Sequence, residues 1–197
     1  MIATMKGAKG VKYFQYGNEV NNSAEWPTGS PITIEGYIQS YNRVWAGIPQ
    51  RVLLGPAAID PYYGPGSNNR AWWTAILQGI RGADVLFLHP KTQTNDPTEI
   101  DSAAKFSDDP LKWQYLHFRT IETSLEAVPA RFIDKPVYLT EVNPQRTPTG
   151  LGWLADNTEW VRRAKAFVAR WNADYGHQRI NGLVFYRWAD DDWRAAS

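Results

Sequence analysis

Short runs of β-branched and aromatic residues alternate along the chain with longer stretches whose apolar positions recur at helical spacing. That alternation predicts repeated βα units around a parallel sheet. The strand candidates are Val11 to Tyr16, Arg51 to Leu54, Asp84 to Leu88, Pro136 to Thr140 and Gly182 to Tyr186. Between them, Ile34, Ile38, Tyr41, Trp45 and Ile48 set one apolar stripe on a helix. A second helix is predicted from Trp72 to Ile80, stopped by Gly82. Leu111, Tyr115, Phe118, Glu122, Leu125 and Val128 predict a third, with one polar interruption. The fourth carries Trp160, Ala164, Phe167, Val168 and Trp171 and stops at Gly176. Two polar loops, Asn21 to Pro31 and Pro90 to Pro110, each follow a strand. In βα architectures those are the segments that meet ligands.

Composition narrows the function classes. The 197 residues carry 21 basic and 20 acidic side chains, a net charge of +1, so no broad field draws the chain to nucleic acid or to an anionic membrane. No run approaches the length of a membrane-crossing helix, and no secretory signal is visible before Val11. The absence of cysteine excludes disulfides, thiolate metal sites and a cysteine nucleophile, and leaves the compartment open. Ten tryptophans exceed what a core of this size needs, which points some rings at a ligand. No repeat or linker divides residues 1–197, so one domain is expected.

Two predicted strands run into polar clusters: Tyr16-Gly17-Asn18-Glu19 after the first and Thr140-Glu141-Val142-Asn143 after the fourth. A lone glutamate at a strand end is most often a solvated loop residue or a cap. Two of them at the same end of a parallel sheet would share one face. Glycosidic hydrolysis needs that pair, one carboxylic acid to protonate the leaving oxygen and one carboxylate to attack carbon or activate water.

The Asn18-Glu19 pair and Glu141 resemble the motifs of the clan A (β/α)8 retaining glycoside hydrolases, whose fourth strand ends in Asn-Glu and whose seventh ends in the nucleophile. The resemblance implies Glu19 as general acid then base, Asn18 as partner of the sugar 2-hydroxyl and Glu141 as nucleophile, with no cofactor and a carbohydrate substrate. His89 closes the third strand candidate and matches the His or Tyr near the nucleophile. Trp188, in Phe185-Tyr186-Arg187-Trp188-Ala189-Asp190, matches the strand-eight sugar platform, and the resemblance implies a non-proline cis peptide after it. Tyr16 and Trp26 join the substrate-binding candidates, as outer aromatic contacts. On this reading the chain supplies strands four to eight, about five βα units of a partial or truncated TIM barrel that lacks the first three. It is then a fragment of a longer enzyme, one part of a two-chain barrel or a non-catalytic carbohydrate-binding remnant. Self-association or a complementary barrel segment would cover the exposed edges. Asp190-Asp191-Asp192 lacks the spacing of a calcium loop, His117 and His177 have no partner at metal-ligand spacing, and Gly64-Pro65-Gly66 is no phosphate loop; no metal is assigned.

Overall fold

The computed structural model describes residues 5, 7, 9–49, 52–62, 69–107, 111–144, 146–147, 150–151, 158–174 and 178–186. It is a mixed α/β protein with parallel strand pairs. The chain divides into two compact units, one formed by Met1–Phe87 with Ala127–Val137 and the other by Leu88–Glu126 with Tyr138–Ser197.

In the first unit β1 (Tyr13–Tyr16) runs parallel to β2 (Leu53–Pro56), with Tyr13 opposite Leu53 and Tyr16 opposite Pro56. The crossover is α1 (Ile34–Gly47), opened by Thr33, whose hydroxyl accepts from the Gly36 N–H at 3.1 Å. Its buried face is aromatic: Tyr37 and Tyr41 are in the core and Tyr41 stacks on Trp45. The Tyr37 hydroxyl donates to the Tyr16 carbonyl at 2.8 Å and accepts from the Ala57 N–H at 2.7 Å, tying the ends of both strands to the helix. Burial pushes the pKa of Tyr37 and of Tyr41 far above the usual phenol value, so both remain neutral donors.

The second helix, α2 (Asn69–Gly79), packs on α1. A Cβ at Gly79 would lie 2.6 Å from an Ile38 methyl, so the close helix contact depends on glycine there. The Arg131 guanidinium donates to the carbonyls of Leu77, Gln78 and Ile80 at 2.6 to 3.0 Å, satisfying acceptors that the helix end leaves open.

In the second unit β4 (Lys91–Thr92) runs parallel to β5 (Val137–Pro144), with Lys91 opposite Asn143. Strand β8 (Ile180–Phe185) also pairs with β5, and β3 (Leu86–Leu88) precedes β4 along the chain. A short antiparallel pair, β6 (Arg146–Thr147) and β7 (Gly150–Leu151), follows β5. The helices are α3 (Thr120–Glu126) and α4 (Thr158–Ala173). Phe118 meets Trp160 and Phe167 edge-on, with ring centres 5.8 and 5.4 Å apart. The Trp160 indole donates to the Thr92 hydroxyl at 3.1 Å, which fastens α4 to β4.

Several boundaries differ from the pattern reading. The second strand begins at Leu53 rather than Arg51, and the third at Leu86 rather than Asp84. The fourth predicted strand continues past Thr140 to Pro144, because β4 supplies backbone partners for Asn143 and Pro144. Glu141 therefore lies within the strand, not beyond it. The third predicted helix shrinks to Thr120–Glu126. Before it the chain turns, and Tyr115 bridges antiparallel to Lys105. The Phe106 N–H donates to the Gln114 carbonyl and the Leu116 N–H to that of Ala104, so the backbone groups that a helix would need are already paired. The second helix runs from Asn69 to Gly79, ending before Gly82.

Candidate functional site

Glu19 belongs to the first unit. After β1 the chain reverses through Gly17 at φ 90° and reaches Glu19 at φ 35°. Glycine accepts a positive φ freely, whereas a glutamate there is strained. Glu19 is nonetheless 4% exposed, so the surrounding structure must impose that conformation. The Asn22 N–H donates to the Glu19 carbonyl at 2.7 Å. Asn21, fully buried, is the hub. Its amide nitrogen donates to the Asp60 carbonyl at 2.9 Å and the Asn69 side-chain oxygen at 3.0 Å, and its oxygen accepts from the Asp60 N–H at 2.9 Å. One side chain thereby joins the loop after β1 to the loop after β2 and to the start of α2.

The other sequence candidates of this unit are placed differently. Asn18 is exposed and donates to the Glu25 carboxylate at 3.3 Å. The Trp26 indole donates to the Val20 carbonyl at 2.8 Å, which closes the loop that carries Glu19. Tyr16 shares a hydrogen bond with Ser40 and packs against Tyr37 and Tyr41, at centroid distances of 5.7 Å each; its ring lies against α1.

Glu141 belongs to the second unit. Side chains alternate along a strand, so Val137, Leu139, Glu141 and Asn143 share one face of β5. The parallel register sets Lys91 beside Asn143. His89, two residues ahead of Lys91 and just before β4, falls near Glu141. The distances agree: His89 Nδ1 is 3.6 Å from Glu141 Oε2, and Lys91 Nζ is 3.4 Å from Oε1. Neither reaches the 2.7 to 2.9 Å of a tight charge-assisted bond, so charge and packing hold this carboxylate more than a locked hydrogen bond does. His89 and Lys91 are buried, whereas the Glu141 side chain retains 16% of its exposure. A carboxylate with that remaining access can meet a ligand. Asn143 Oδ1 is buried with no hydrogen-bond partner.

A second His–Glu contact lies elsewhere in this unit. His117 Nε2 is 3.3 Å from Glu99 Oε2, and His117 Nδ1 is buried without a partner. Burial pushes the imidazole below its ordinary acidity range, against the pull of Glu99 and Asp96.

The fold brings His89 and Glu141 together in the second unit, while Glu19, Asn18, Tyr16 and Trp26 lie in the first. Trp188 lies outside the described residues, as do the Gly64-Pro65-Gly66 stretch, His177 and Asp190 to Asp192. Sequence reasoning passed over Lys91, Asn143 and the Asn21 hub. The only signal for Lys91 was its position two residues after His89, which places both on one face of an extended segment.

No family model matches the sequence, and no curated protein matches it. Among solved structures, the chain is similar to a GH128 (subgroup VII) oligosaccharide-binding protein from Cryptococcus neoformans, with a TM-score of 0.51 at 16% identity, over 92% of this chain. It is also similar to a GH128 (subgroup I) endo-β-1,3-glucanase from Amycolatopsis mediterranei, a mutant in complex with laminarihexaose, with a TM-score of 0.52 at 15% identity, over 89% of this chain. The chain spans 61% of the length of each. At such identities the likeness establishes a glycosidase-like fold.

Proposed function

We propose that this chain is part of a retaining glycoside hydrolase that cleaves a β-linked glucan, with Glu141 as nucleophile and Glu19 as general acid and then base. The observation that carries the reading is the setting of Glu141, a partly accessible carboxylate between a buried histidine and a buried lysine. The strained, buried backbone of Glu19 supports it, because such strain concentrates at functional residues. Residues 1–197 then form one module equivalent to strands four to eight of a barrel. A complementary barrel segment, or a second copy, would complete it. Exposed Val11, Val184 and Tyr186 suit such a covering. Trp188 keeps its proposed place as sugar platform and Asn18 as the 2-hydroxyl partner, whereas Tyr16, committed to α1, is assigned to the scaffold.

Retention requires the two carboxyl groups to approach to roughly 5 Å. The endo-β-1,3-glucanase neighbour makes laminari-oligosaccharides the first substrates to try. The test is azide rescue. Glu141→Ala with an activated aryl β-laminaribioside and azide should yield the α-glycosyl azide, and Glu19→Ala the β-anomer, each identified by NMR. Failure of both, or equal turnover by parent and Glu141→Ala, would remove the assignment.

A second reading follows from the other neighbour, an oligosaccharide-binding protein: binding of oligosaccharides without turnover. Calorimetric binding of laminarihexaose, with no reducing ends released from it, would favour that reading.

A further inference from the structure

Resting on the glycosidase reading, we infer that Lys91 is a positioning residue that stabilises the Glu141 carboxylate as it leaves, in the second half of the reaction. Lysine on a strand ordinarily sends its ammonium to solvent. Here β4 pairing fixes the Lys91 backbone beside Asn143, and the side chain is buried. The ammonium nevertheless does not serve its own register neighbour, since Asn143 Oδ1 has no hydrogen-bond partner. It reaches back instead to Glu141 Oε1 at 3.4 Å, while His89 faces Oε2. The two oxygens of one carboxylate are thus divided between two neighbours, with the permanent charge on one of them.

That placement has opposite consequences for the two chemical steps. Before attack Glu141 is an anion, and Lys91 stabilises the reactant as well as holding it in place, so little is gained in glycosylation. In the glycosyl-enzyme the carboxyl is an uncharged ester, and Lys91 faces no counter-charge from it. Water then attacks the anomeric carbon and passes its proton to Glu19. The bond from that carbon to Glu141 breaks, and its electron pair returns to the carboxylate. Negative charge grows where the ammonium already sits, which lowers the barrier to this second step.

The experiment compares parent, Lys91→Met and Lys91→Arg on 4-nitrophenyl β-laminaribioside, by steady-state and stopped-flow kinetics. For Lys91→Met, kcat and KM should fall together by about 100-fold, leaving kcat/KM within about threefold of the parent. A burst of nitrophenolate equal to the enzyme concentration should appear, with a glycosyl adduct on the Glu141 peptide by mass spectrometry. Lys91→Arg should recover most of kcat, and butylammonium should rescue Lys91→Met where butanol does not. Parent-like kinetics in Lys91→Met would overturn the inference while leaving Glu141 as nucleophile. So would a fall in kcat/KM without a burst, or equal rescue by butanol, because each describes a lost packing contact rather than a lost charge. A parent that neither turns over nor labels at Glu141 would remove the glycosidase reading, and this role with it.

Discussion

The two glutamates are held by different physics. Glu19 sits on a tight turn in a strained backbone conformation, and the turn is fixed by the uncharged amide hub of Asn21, with Asp60 and Asn69 as partners. Glu141 sits on regular strand with no strain, and its orientation follows from register and from the charged or chargeable side chains of Lys91 and His89. One region fixes a carboxylate through backbone geometry, the other through cross-strand neighbours. Substitutions near Glu19 should therefore register first in stability, whereas those near Glu141 should register first in chemistry.

The largest effect expected on the chemical side is that of Glu141→Ala, with a loss of about 10⁴-fold in kcat/KM if it is the nucleophile. Its melting temperature should fall as well, because buried Lys91 loses the counter-charge of the carboxylate; differential scanning calorimetry alongside the glycosidase assay checks both halves. In the first unit Asn21→Ala strands a buried N–H and two buried acceptors. It should cost about 2 to 4 kcal/mol in urea unfolding. A smaller loss would mean that water replaces the hub and that the turn is held elsewhere.

Glu19→Gly sharpens the contrast, since it relieves the positive φ. Unfolding should become harder by about 1 kcal/mol even as proton-transfer chemistry is lost. A destabilised variant would show that contacts of the carboxylate, not the backbone, govern that position.

Acid should act through the second unit. The folded pKa of His117 is depressed by burial, so the unfolded chain binds more protons in the window just below its ordinary value. Stability is then retained above about pH 6.5 and declines as the pH falls below it. His117→Gln should flatten that slope in unfolding measured between pH 5 and 7, a range chosen around that value. The smallest effect is that of Tyr16→Phe, about 0.5 to 1 kcal/mol from the Ser40 hydrogen bond. Affinity for laminarihexaose should be unchanged; weakened binding would return Tyr16 to the sugar site.

Much of the scaffold was legible because burial leaves a periodic trace. The stripes of α1 and α4 and the apolar runs of the five principal strands follow from which faces avoid water. The third helix was misjudged because Phe118 and Tyr115 keep helical spacing while the backbone groups of Gln114 and Leu116 are paired with Phe106 and Ala104 instead. Periodicity reports burial, and burial can be arranged by a turn. Glu19, Glu141 and His89 stood out because carboxylates and imidazoles beside apolar strands are chemically conspicuous. Lys91 did not, since a lysine after His-Pro looks like a solvated loop residue until a neighbouring strand encloses it.

The chain alone determined the kind of element at most positions, the near-neutral charge and the two glutamates beside apolar runs, since all of these depend on local order and on side-chain type. Which side chains became neighbours was decided only by tertiary structure. The partnering of Lys91 and His89 with Glu141 depends on the register between β4 and β5, and the Asn21 hub depends on three segments far apart in sequence. A one-residue slip in that register would turn Lys91 to the other face of its strand, and no local pattern in the sequence encodes that choice.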